Sequence, residues 1–143
     1  GMTSPDIIYM TLWANQRKLR LSDWDLRYDP KWDDSPEESA NCHFRLNERV
    51  ATIRLDPEVK GRNLDAHIVH ELMHLVLADY THTAMTAIAA AGPGAERVLD
   101  ILGDMEERIC DTIAHALTGV TYIPVGKSKE VHAPFLDTTI CTD

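Results

Sequence analysis

Residues 63–80 read NLDAHIVHELMHLVLADY, a run with no proline or glycine. Asn63 suits an N-cap and the residues after it suit a helix, so an α-helix is expected from Asn63 to Tyr80. At about 100° per residue, Leu64, Ile68, Leu72, Leu75 and Val76 fall on one arc and Val69, Met73 and Leu77 on the next. The narrow side left over carries His67, His70, Glu71, His74 and Ala78. Polar groups gathered into one stripe of a buried helix need partners. Within that stripe, His70 and His74 lie one turn apart on the same face, so two imidazole nitrogens can reach one metal ion with Glu71 beside it. This is the layout that metal-assisted hydrolysis requires.

The chain has 143 residues, enough for one domain with a real core, and the expectation is a single domain over 2–143. Its formal charge of -9 and the lack of a basic block argue against direct binding of a nucleic-acid backbone. No stretch approaches the roughly 20 apolar residues of a membrane span, and no secretory leader is visible, so a cytoplasmic protein without a membrane partner is expected. Cys42, Cys110 and Cys141 form no metal-ligand spacing, and an odd count suits a reducing compartment. Gly1 before Met2 reads as a remnant of tag removal.

Outward from the opening stretch, Pro5 to about Leu21 reads as an N-terminal helix, with Ile8, Leu12 and Leu19 on one face. Trp24, Leu26 and Tyr28 alternate with Asp25 and Arg27 as in a short strand, and an acidic loop follows from Asp29 to Ser39. Cys42, Phe44 and Leu46, then a turn at 47–49, then Ala51, Ile53 and Leu55 read as a hairpin in a small antiparallel sheet. The segment 81–94 has room for a short helix before the break at Gly92-Pro93-Gly94. From Ala95 to Thr118, Val98, Leu102, Met105, Ile109, Ile113 and Leu117 keep helical spacing and read as the core face of a long helix, with Gly119 as its C-cap. Residues 120–143 read as an extended tail. Helices and short strands together make the fold α+β.

Catalytic zinc takes three protein ligands and keeps a fourth position open, so a third ligand is needed. The candidates are Asp79, His82, Asp104, Glu106 and Glu107. On the long helix, Gly103, Cys110, Ala114 and Thr118 form a line of small residues that permits close helix approach. Glu107 lies within that line and Asp111 one turn on at its edge, so Glu107 is favoured as ligand, and Asp111 as the carboxylate that takes the other N–H of a ligand His. Glu106 lies among Leu102, Ile109 and Ile113, where a buried charge is costly unless it reaches the metal, and it remains the main competitor, with His82 behind it. His67, one turn before His70, reads as a packing residue or a support for the ligands. Leu77 and Tyr80 stand where a metzincin needs Gly and His, which excludes that class.

His70-Glu71-Leu72-Met73-His74 followed by Glu107 and Asp111 resembles the gluzincin metallopeptidases. The second motif of their compact ImmA/IrrE-type members, Glu-x-x-Ala-Asn/Asp-x-Phe-Ala-x-x-Leu, is matched by Glu107, Cys110, Asp111, Ile113, Ala114 and Leu117, with Cys for Ala and Ile for Phe as departures. The resemblance covers about residues 40–118 and implies a minimal zincin-like domain, with the active-site helix packed on a second long helix that carries the third ligand.

The function expected is zinc-dependent hydrolysis of a peptide or protein substrate. His70, His74 and Glu107 bind Zn2+, and Glu71 is the general base. Tyr80, His82, Tyr122 and His132 are candidate stabilisers of the transition state. The loops at 29–39 and 79–94 and the tail are candidate recognition segments, and the hairpin edge is a candidate seat for an extended peptide. The alternative is a zincin-fold binding or regulatory module with a structural or partner-dependent metal. Glu71 weighs against it, because a purely structural site has no use for a carboxylate beside its ligands.

Overall fold

The computed structural model describes residues 1–31 and 39–120. Helix α1 (Pro5–Lys18) starts at Ser4, whose hydroxyl accepts from the Ile7 N–H, with Pro5 in the first turn where its missing N–H costs nothing. It buries Ile8 and Leu12. Strands β1 (Asp25–Asp29), β2 (Ala40–Arg45) and β3 (Val50–Leu55) form one sheet in the order β1-β3-β2. Among the described residues, four helices and this sheet make an α+β fold.

The hairpin is present as expected, but the sheet is mixed rather than antiparallel. β2 pairs antiparallel with β3, whereas β1 pairs parallel to β3, with Leu26 opposite Ala51 and Tyr28 opposite Ile53. A period of two places side chains on a face and carries no strand direction. Leu26, Tyr28, Ala51, Ile53 and Leu55 are buried on one face of the sheet. Phe44 is 41% exposed near the end of β2, with its ring edge-on to Trp24 at 5.8 Å.

Helix α2 (Arg62–Val76) lies between the sheet and the second long helix. Its N-cap is Gly61, not Asn63. The backbone there has φ 64° and ψ -139°, a conformation that glycine adopts without a Cβ penalty, so the cap lies two residues earlier than expected. The two apolar arcs go to two different cores. Leu64, Ile68, Leu72 and Leu75 join Ile8, Leu12, Leu26, Ile53 and Leu55, while Val69 and Met73 meet Cys110 and Ala114. Val76, expected on the first arc, ends the helix half in solvent.

The helix does not run on to Tyr80 as one rod. Leu77 lies at a joint, after which α3 (Ala78–Ala89) runs as a separate helix, longer than the short one expected over 81–94. Helix α4 (Ala95–Thr118) has the predicted bounds and is closed by Gly119 at φ 72°. Its rotation differs from the expectation. Cys110 and Ala114 are fully buried against α2, whereas Val98, Met105, Ile109 and Leu117 are more than two-fifths exposed and Leu102 and Ile113 half-buried. Small side chains let two helix backbones approach, and the acidic residues beside them meet the polar stripe of α2, so this face wins over the bulkier apolar one. Among the described residues no helix is long and apolar enough to cross a membrane.

Candidate metal centre

The polar stripe of α2 faces α4, and the two helices bring six His, Asp and Glu side chains together there. His70 Nε2 lies 2.9 Å from Glu107 Oε2, and His74 Nε2 lies 3.2 Å from Glu107 Oε1. One carboxylate therefore spans both Nε2 atoms. On the far edges of the rings, His70 Nδ1 lies 2.8 Å from Asp111 Oδ1, and His74 Nδ1 is hydrogen-bonded to Glu106 Oε2. The rings stand 5.3 Å apart at 73°, as expected for residues one turn apart whose side chains fan toward one point. Glu71 is buried beside them, its Oε2 3.9 Å from His70 Nε2.

Burial opposes a charge on His70, but its contacts with Asp111 and Glu107 outweigh that cost and push its pKa up to about 9. His74 is raised in the same way: burial lowers it, and its hydrogen bonds to Cys110, Glu106 and Glu107 prevail. Burial also favours the neutral form of Glu107, yet the two imidazoles beside it hold its carboxyl well below the usual carboxylate range. Without a metal the cluster is thus held together by shared protons.

The donor set fits a metal. One nitrogen from His70, one from His74 and one oxygen from Glu107 all lie within 4.8 Å of one another. Ligand atoms on a tetrahedral zinc with bonds near 2.0–2.1 Å are about 3.3 Å apart, close to the spacings already present. The Glu107 side chain is 48% exposed, so the site is open to solvent on that side.

Several expected residues are therefore gathered here: His70, Glu71, His74, Glu107 and Asp111. His67 is not among the donors. It is fully buried, and its Nδ1–H donates to the Asn63 carbonyl at 2.7 Å. Burial holds its pKa down, with the nearby His70 adding to the effect and the Asn63 bond opposing it. Tyr80 is 72% exposed on α3, and His82 is exposed outside the donor group. Asp79 forms an ion pair with Arg49 at 2.9 Å, and Asp104 is exposed. Tyr122 and His132 lie outside the described residues, as do Cys141, residues 32–38 of the acidic loop and all of the expected tail after Val120.

Two features of the site are not legible in the sequence. Glu106, weighed as a ligand, is placed on Nδ1 of His74, on the ring edge away from the donor group. Cys110, read as a small packing residue, also brings its Sγ to 3.7 Å from the same Nδ1. The cost of burying Glu106 shows that it needs a partner; only the rotation of α4 decides which. Strand β2 packs on α2, and there burial and the negative charge of Glu71 push the Cys42 thiol up to about 12, with His74 opposing. No family model matches this chain, and neither a curated protein nor a solved structure is significantly similar to it.

Proposed function

We propose that this protein is a zinc metallopeptidase with a minimal zincin-like fold. The observation that carries the reading is the convergence of His70 Nε2, His74 Nε2 and the Glu107 carboxylate at one solvent-open point, with Glu71 alongside. Two nitrogens and one oxygen with a fourth direction free is a catalytic ligand set for zinc rather than a closed structural one.

When bound, zinc would supply Lewis acidity, making water acidic near neutral pH and polarising a peptide carbonyl. His70 and His74 offer Nε2 lone pairs once their shared protons leave, and Glu107 offers one oxygen. Asp111 holds the Nδ1 proton of His70, which fixes that ring's tautomer and direction. Glu71 accepts a proton from the attacking water as its oxygen bonds to the peptide carbon. It then delivers that proton to the departing amine as the C–N bond breaks. Among the described residues β2 is paired on one side only and packs along α2, which suits an extended substrate laid beside it.

The test is metal content followed by turnover. Elemental analysis of protein purified without chelator should find one zinc per chain, lost in His70→Ala and Glu107→Ala but kept in Glu71→Gln. Glu71→Gln should cleave a fluorescent peptide library at least about 100-fold more slowly, the low end of general-base effects. Metal-free wild-type protein, or full turnover in Glu71→Gln, overturns the proposal.

A further inference from the structure

We infer that Glu106 is a positioning residue of the metal centre, a second orienting carboxylate that holds His74 as Asp111 holds His70. The inference rests on the metallopeptidase reading and adds a part to it that the two-motif pattern does not contain.

Glu106 and Glu107 are neighbours on α4, about 100° apart, so they reach the same imidazole from different sides. Glu107 meets His74 at Nε2 and Glu106 meets it at Nδ1. A carboxylate on Nδ1 cannot share an ion with the Nε2 of the same ring and of His70, so its place is behind the ligand. It accepts the Nδ1–H, which leaves the Nε2 lone pair directed at the donor group. The Glu106 side chain is only 17% exposed, and a carboxylate so enclosed needs charge-assisted partners. It has one in His74 on α2, whose hydrogen bond outweighs the burial that favours the neutral form of Glu106. Cys110, one turn on, brings only a thiol toward that nitrogen, a weaker partner than a carboxylate. Both ligand imidazoles therefore meet a carboxylate at each ring nitrogen.

The experiment measures zinc affinity by competition with a chromogenic chelator for wild type, Glu106→Ala, Glu106→Gln and Glu107→Ala. The Nδ1–H proton resonance of His74 is followed in the zinc-loaded proteins. Glu106→Ala should still take one zinc but bind it roughly 10- to 100-fold more weakly, and should lose the slowly exchanging Nδ1–H signal. Glu106→Gln keeps a carbonyl oxygen for that N–H and should recover most of the affinity and the signal. Wild-type affinity in Glu106→Ala overturns the inference, as does an equal loss in both Glu106 variants. If Glu106→Ala takes no zinc while Glu107→Ala does, Glu106 is a ligand rather than a support. Zinc binding by wild type that is unaffected by Glu106 leaves the metallopeptidase reading standing; no zinc in wild type removes both.

Discussion

His70 and Glu107 shift in opposite directions because Asp111 and Glu107 favour the charged imidazole, while His70 and His74 favour the Glu107 carboxylate. In the metal-free protein this makes stability depend on pH with a definite sign. The raised pKa of His70 contributes stability that is fully present below its ordinary value near 6.5 and is lost as pH rises through about 9. The lowered pKa of Glu107 contributes stability present above the ordinary carboxylate value and lost as pH falls. Thermal unfolding of chelator-treated protein should therefore show a midpoint that declines between pH 6.5 and 9, with a flatter profile in His70→Asn. Zinc-loaded protein should lack this decline, since zinc competes with the same protons and binds better as they leave. An unchanged slope in His70→Asn would assign the decline to other groups. The grouping of His70, Glu71 and His74 is legible in the sequence because polar residues on one stripe of an apolar helix must share partners on that side. The role of Glu106 is not, since adjacent glutamates differ only in the direction that the helix's rotation gives them.

Periodicity exposes the two arcs of α2 and assigns them to burial, and the arcs meet two separate cores. The same reasoning applied to α4 selects the wrong face. Val98, Met105 and Ile109 repeat as a core stripe would, yet they are more than two-fifths exposed while Cys110 and Ala114 are fully buried. A repeat identifies a face; which face meets a neighbour depends on what the neighbour presents, and α2 presents imidazoles and close-set backbone. Two substitutions separate these orientations. Ala114→Leu should force α4 away from α2, costing about 1–3 kcal/mol in chemical denaturation and weakening zinc binding. Ile109→Gln, on the exposed side, should change stability by no more than about 0.5 kcal/mol and leave zinc binding intact. The reverse ranking would mean that the apolar stripe is the packed face.

For the molecule as a whole, α2 is the central element. It packs on α1, on the sheet beside β2, on α3 and on α4, so a metal held between α2 and α4 would be linked to the stability of the entire fold. A ligand that binds only the folded state stabilises it by about 2.7 kcal/mol at a free concentration 100 times its Kd. Added zinc should therefore raise the unfolding midpoint of wild type by several degrees in calorimetry and leave that of Glu107→Ala unmoved. A rise in both would place the stabilising metal elsewhere.

The chain by itself determined that helices lie within about 5–21, 63–80 and 95–118, together with the hairpin and the pentapeptide at 70–74, because each depends on residues near one another in sequence. Tertiary structure alone decided the parallel pairing of β1 with β3, the rotation of α4, and the placing of Glu106 on the outer edge of the His74 ring. Those choices compare one packing of whole elements with another. They turn on helix approach distance and on the cost of leaving buried imidazoles and carboxylates without partners, neither of which any single segment contains.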